Sequence, residues 1–367
     1  MQREEVLALG DLLAEAVGGA TGQIQDVHAA IAGRVFDSLG PSAYPVRVIH
    51  DGIARGSYAV ARAASSAAIR AGAGALGGTR PKTAPSLQVA PRGRAALGAL
   101  NGVLGDALER RGSPLALKMG LRRGGADVPL DRRGLAETFP NATARLAVFV
   151  HGLGETDDVW RARADSVPYG TRLQLEQGYT PLYVRYNSGR HISENGRELA
   201  ALLDRLLTHW PREVQEIALI GHGMGGLVLR SACHYGAGSR WVGQVRHTFT
   251  LGSPRRGREL ERVASATSSA LGLLRETRPL AEPLKLRSSG IRDLRHGYLV
   301  DEDWLGPRTG PRPGRARRIP FLRTAEHYFL ERRLPAATGA RLLADPAIYE
   351  QISKRLRRPA LPRPGRP

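Results

Sequence analysis

Lysine, cysteine and aromatic residues are scarce in this 367-residue chain, and each scarcity excludes something. The lysines are Lys82, Lys118, Lys285 and Lys354, so the formal charge of +20 rests almost wholly on arginine. A charge of that size invites a reading as a nucleic-acid or anionic-membrane binder acting through long-range attraction. The arginines are scattered, however, and no aromatic-and-basic nucleic-acid motif accompanies them. With 44 glycines and 24 prolines beside them, they have the bias of a GC-rich coding sequence, and no specific nucleic-acid partner is expected. Cys233 stands alone, which excludes an intrachain disulfide and a cysteine-built zinc site. Long apolar runs are missing too. The least polar stretch, Ser57 to Gly78, is mostly alanine and glycine and contains Arg62 and Arg70, a poor membrane span. Glu4, Glu5 and Asp11 occupy the place where a signal peptide needs basic and then apolar residues. The expected location is cytoplasmic, with peripheral contact to an anionic membrane through the N-terminal helices as its variant.

What is present centres on IALIGHGMGGLVLRS, Ile217 to Ser231. An apolar run meets a glycine cluster, and a helix-like segment begins near Met224. Strand, sharp turn and helix are the layout of the nucleophile elbow of α/β-hydrolases, whose signature is G-x-S-x-G. Gly221 and Gly225 take the two glycine positions, with His222 and Gly226 beside them. The position between, where the reactive hydroxyl belongs, is Gly223.

Along the chain, Leu7, Leu9, Leu12, Leu13 and Val17 form one helical stripe, and Ile24, Val27, Ile31 and Val35 another. An alanine-rich helix is expected over Tyr58 to Ala75, able to pack on its neighbours or to lie on a membrane surface. A helix over Arg94 to Arg110 is followed by a loop to about Thr143. Leu146 to Val150 reads as a strand buried on both faces, and Thr180 to Tyr186, Glu216 to Ile220 and Val245 to Leu251 as further strands. A helix from Ser193 to Trp210 lies between the second and third of these. Strands alternating with helices imply a mostly parallel sheet with helices on both faces. Later come a helix over Glu259 to Leu274, an irregular segment over Leu284 to Leu299, and a loop rich in proline, glycine and arginine over Leu305 to Arg318. A late strand is expected within Ile319 to Leu330, and a closing helix over Asp345 to Leu356. The division is a helical region over 1–143 with a Pro/Gly linker near 77–93, an α/β domain over 144–357, and a disordered basic tail over 358–367.

The chain resembles an actinobacterial-type group of α/β-hydrolases, lipase- or esterase-like and related to the inositol-deacylase-like branch. The resemblance is carried by NGVLGDALERRGSPLALKM (Asn101 to Met119), VFVHGLGETDDVW (Val148 to Trp160) and VRYNSGRHISENGREL (Val184 to Leu199). It continues in ALIGHGMGGLVLRSACHYG (Ala218 to Gly236), LGSPRRGRELER (Leu251 to Arg262) and DPAIYEQI (Asp345 to Ile352). It implies an oxyanion hole of two backbone amides, one at Leu153 after the His151-Gly152 turn and one at Met224. The family has GHSMGG where this chain has GHGMGG. Its late histidine would fall at or beside Gly339, and its acid loop is cut short, with only Glu331 acidic between His327 and Asp345. His327 is the best surviving late histidine. Ser231, Ser253, His222 and His191 are weaker substitutes for lost groups. His151, His222, His234 and His247 lack metal-ligand spacing, so neither metal nor cofactor is implied. The expectation is a catalytically impaired hydrolase that keeps a pocket for an acyl ester or lipid-like molecule. The alternative is an active carboxylic-ester hydrolase using unrecognised groups.

Overall fold

A computed structural model of the chain describes residues 1–39, 44–81, 83–161, 167–253, 288–305, 325–330 and 342–357. The expected helix over Glu259 to Leu274 lies outside them, as do most of the arginine-rich loop, the basic tail, Glu331 and Gly339. The chain divides into two compact units, one containing residues 1–87 and the other starting at Gln88. The division falls inside the Pro/Gly linker. Residues 88–143, which the sequence reading groups with the N-terminal helices, belong to the second unit.

The first unit is a hairpin of two long helices, α1 (Arg3–Leu39) and α2 (Tyr44–Gly78). They close tightly because Gly10 has no side chain. A Cβ there would stand 2.3 Å from the Ala73 Cβ. Leu12, Ala14 and Ala16 are buried along α1, whereas Leu13, expected in the same stripe, points outward. Arg70 pairs with Asp11 at 3.0 Å, and Glu5 accepts the Leu87 N–H at the far end of the unit.

The second unit is a seven-stranded sheet with the order β2-β1-β4-β3-β5-β6-β7. Its strands are β1 (Gly120–Arg123), β2 (Ala126–Asp127), β3 (Arg145–Val150), β4 (Tyr179–Arg185), β5 (Glu216–His222), β6 (Val245–Leu251) and β7 (Glu326–Leu330). From β4 to β7 all pairings are parallel. The β1–β2 hairpin adds antiparallel to β4 and falls in a segment read as loop. It turns on Gly124 and Gly125, both at positive φ, as a two-residue hairpin turn requires.

Side-chain alternation divides the core into two layers. Leu146, Val148 and Val150 of β3 face one, Ala147 and Phe149 the other. The first layer is covered by α4 (Arg132–Thr138), α6 (Ile192–His209) and α7 (Met224–Tyr235), the second by α5 (Tyr169–Gln177) and the closing helix (Pro346–Leu356). Removing a fully buried leucine or isoleucine from either layer costs about 2–5 kcal/mol. α3 (Pro91–Arg110) and α8 (Ser289–His296) are bound to each other and to the β4 loop through short polar bonds. Ser288 donates to the Gly102 carbonyl at 2.7 Å, and Asn187 to that of Gly105 at 2.9 Å. α8 stands where an irregular segment is expected, started by the Ser288 side chain as N-cap and ended by Gly297 at positive φ. The closing helix starts as its sequence requires, with Asp345 accepting the Ala347 N–H at 2.9 Å and proline at the first helical position.

Candidate functional site

β5 ends at His222 and α7 begins at Met224, so the chain reverses on the single residue Gly223. Its φ of +52° and ψ of −119° lie where a residue with a side chain is strained. The Gly223 N–H donates to the Leu251 carbonyl at 2.9 Å, which ties the turn to β6. Neighbouring glycines let the helix sit this close to the sheet. A Cβ on Gly221 would come within 2.6 Å of the Gly226 nitrogen, and one on Gly225 within 2.3 Å of the Val150 oxygen. On Gly226 it would meet Ser253 Oγ at 2.2 Å. At Gly223 itself the nearest atom is the Gly152 Cα, 3.8 Å away. The turn therefore has the conformation and the room for a nucleophile, and lacks only the hydroxyl. The fold is that of an α/β-hydrolase.

Solved structures similar to the chain are esterases and lipases. The mature form of a Bacillus licheniformis lipase is 22% identical, with a TM-score of 0.29, over 42% of this chain and 56% of its own. A Pyrococcus furiosus esterase is 17% identical, with a TM-score of 0.28, over 39% and 53%. In a second crystal form the archaeal esterase gives 13% identity and a TM-score of 0.33 over 59% and 81%. This chain thus spans little more than half the length of the first two. At these TM-scores the likenesses carry no weight, and the fold rests on the sheet and its elbow. No protein-family model and no curated protein matches the chain.

Gly152 and Leu153 follow β3, beside the elbow. Met224 opens α7, where a backbone N–H has no acceptor within its own helix and the helix dipole favours negative charge. His151 is fully buried and stacks on Tyr186 with ring centroids 4.3 Å apart. Its Nδ1 lies 2.8 Å from the Gly152 carbonyl, and its Nε2 accepts the Tyr186 N–H at 3.3 Å. Burial lowers its pKa to about 4. Both ring nitrogens are used, so His151 is a neutral brace for the turn.

Beside it lies a pair that the sequence reading misses. Glu155 Oε2 is 2.8 Å from His222 Nδ1 and accepts the Gly152 N–H at 2.7 Å. Burial alone would favour the neutral form of each partner. Burial acts to lower the His222 pKa, but the Glu155 charge and hydrogen bond outweigh it and hold the imidazole above its ordinary value. Burial likewise acts to raise the Glu155 pKa, and the His222 charge and hydrogen bond carry the carboxyl below its usual range. The result is an ion pair in front of the elbow, with the Trp160 ring nearly perpendicular to the imidazole. Glu155 stands within the VFVHGLGETDDVW segment, and a carboxylate four residues after the turn histidine was the available signal.

The remaining expected residues are elsewhere. The register sets Leu330 level with Leu251, and Leu251 level with His222. His327, three residues earlier in β7, is level with Thr248 and Leu219. It is about 10 Å down the sheet from the elbow and two strands, about 10 Å, across. The structure does not bring this histidine to the elbow. Ser231 is buried in α7 and donates to the Leu299 carbonyl at 2.7 Å. Ser253 Oγ lies in the seam between β6 and α7. His247 is level with Ala218, near the ends of the strands opposite the elbow.

His191 directly precedes α6, as expected of a helix-start residue, but it also belongs to a second pair. Its Nδ1 lies 2.9 Å from the buried Asp293, which accepts the Ile192 N–H as well. The ring stacks on Trp304 at 3.8 Å. Burial raises the Asp293 pKa against the opposing pull of His191. This pair joins α6, α8 and the 301–304 turn, where Asp303 accepts the Leu299 and Val300 amides. Among the described residues no three His, Cys, Asp or Glu side chains gather as metal ligands.

Proposed function

We propose that this protein is an α/β-hydrolase-fold binding module, derived from the actinobacterial lipase/esterase-like branch, that holds an acyl ester or lipid-like molecule without cleaving it. One observation carries the reading: Gly223 keeps the conformation of a nucleophile position and has no nucleophile. Amides at Leu153 and Met224 would receive the ligand's carbonyl oxygen, since donors aimed at that oxygen do not depend on the hydroxyl. Covalent catalysis does depend on it, because no acyl-enzyme forms without an attacking oxygen. The test compares hydrolysis of short and medium acyl esters by the native protein and by Gly223→Ser. Silence from the native protein, with retention of the ester measured by equilibrium dialysis, is the expected result. Steady turnover by the native protein would sink the proposal.

The Glu155–His222 pair favours a second reading, an active carboxylic-ester hydrolase. In it, at pH above the raised His222 pKa, Glu155 holds the Nδ1–H of the then neutral imidazole, and Nε2 takes a proton from a water that attacks the ester carbon directly. The tetrahedral intermediate then expels the alcohol, which receives the proton back from His222. This reading requires turnover that His222→Ala abolishes and Gly223→Ala leaves in place.

A further inference from the structure

A cavity of about 590 Å³ lies at the edge of the sheet beside β1, and the proposed function does not use it. Every residue that lines it belongs to the second unit. β4 and β3 stand between β1 and the elbow strand β5, which puts about 14 Å of sheet between the cavity and the elbow. Met119 and Leu130, both half-buried, and the buried Leu121 and Val128 supply an apolar lining. A cavity of this size holds a small organic ligand, and its few polar groups select which.

Those polar groups are mainly cationic. Lys118, Arg185 and Arg205 line the cavity against the single carboxylate of Asp127. Asp127 is already shared, since Arg122 comes within 2.7 Å of it and Arg185 within 2.9 Å. Lys118 and Arg205 are exposed and have no ion-pair partner among the described residues. Arg185 is only 5% exposed. Its Nε donates to the Lys118 carbonyl at 3.3 Å, Nη1 to Gln88 Oε1 at 3.0 Å and Nη2 to Asp127 Oδ1 at 2.9 Å. A guanidinium has five N–H donors, so one is left over on each terminal nitrogen. Burial, and after it the charge of Arg122, act against the Arg185 cation and lower its pKa, and an anion beside it would offset that. Two N–H groups on the terminal nitrogens suit the two oxygens of a carboxylate. A phosphate dianion would need more donors and would set a second negative charge against Asp127. We infer that this cavity binds an amphiphilic carboxylate, with its head on Arg185 in the field of Lys118 and Arg205 and its apolar chain along Met119, Leu121, Val128 and Leu130. The inference is independent of what the elbow does.

The methionines make the test local. Met119 lines this cavity, Met224 opens α7 at the elbow, and the third is Met1. The full chain, isotope-labelled at its methionine methyl groups, is titrated with octanoate and followed by NMR. The expected result is a saturable shift of the Met119 resonance that weakens at high salt. Octanol, with the same chain and no charge, should not reproduce it. Lys118→Glu and Arg205→Glu, both at exposed sites, should each lower the affinity roughly fivefold. Lys354→Glu, an exposed charge reversal on the closing helix, should leave it unchanged. The salt and octanol comparisons use the native protein and so do not depend on how a variant folds. An unmoved Met119 resonance, an equal response to octanol, or an affinity indifferent to both cavity substitutions overturns the inference. A shift confined to Met224 overturns it as well, because the carboxylate would then occupy the elbow. Tighter binding of octyl phosphate than of octanoate would give the head to a phosphate ester and overturn the carboxylate assignment.

Discussion

Glu155 Oε2 bridges two parts of the site, lying 2.8 Å from His222 Nδ1 and 2.7 Å from the Gly152 nitrogen. One oxygen therefore fixes both the turn after β3 and the residue before the elbow. Glu155→Gln removes the charge and keeps the shape. With only burial acting on it, the His222 imidazole should then titrate below its ordinary value instead of above it. Histidine ring resonances followed by NMR against pH would show this, and an unmoved titration would mean that the pair is not formed in solution.

The same pair sets a pH window for stability. His222, with its pKa raised, stabilises the fold fully below its unfolded value of about 6.5 and loses that contribution as pH rises through the folded value. Glu155, with its pKa lowered, contributes above its ordinary carboxylate range and loses the contribution as pH falls below it. The native protein should therefore lose, between mildly acidic and alkaline pH, a stability increment that His222→Gln lacks. Urea denaturation at a series of pH values measures the difference.

His151 acts in the opposite sense. Its pKa is lowered to about 4, so between that value and about 6.5 the unfolded chain binds a proton that the folded chain refuses. Stability should fall on acidification through this range by up to about 3 kcal/mol. His151→Gln should flatten the slope while lowering stability at neutral pH through the lost stacking on Tyr186. An unchanged slope in that variant would assign the acid sensitivity to another group.

Gly223→Ser should fold, because a side chain has open space at that position. It should be less stable by about 1–3 kcal/mol, the usual cost of a side chain in so rarely occupied a backbone region. Thermal unfolding reads this cost. A serine that stabilises the protein would mean that the turn does not hold φ near +52° in solution.

Gly225→Ala is the harsher change. Its Cβ would face the Val150 and His151 carbonyl oxygens at 2.3 and 2.5 Å, and backbone cannot swing aside as a side-chain end can. A loss of about 3 kcal/mol or more is expected, read as a large fall in the urea midpoint. Gly238→Ala, where an added Cβ meets nothing, is the neutral control.

Much of the architecture was legible in local sequence because it follows from local physics. Continuous apolar runs such as Leu146 to Val150 give buried parallel strands, and the glycines around His222 imply a helix lying close on a sheet. Asp345 before Pro346 starts a helix by itself. The β1–β2 hairpin was less legible. Its strands are short, β1 carries two arginines, and Arg122 is tolerated in the interior because Asp127 comes within 2.7 Å of it and the Gly125 carbonyl accepts from its guanidinium.

The site divides the same way. The sequence by itself determined that position 223 has no hydroxyl and that glycines crowd around it. Only the tertiary structure decided what stands in front of that position, since Glu155 and His222 are 67 residues apart and meet through the β3–β5 pairing. The same pairing logic carries His327 away. A strand's register fixes how far down the sheet each residue lies, and nothing local to AEHYFL states that register.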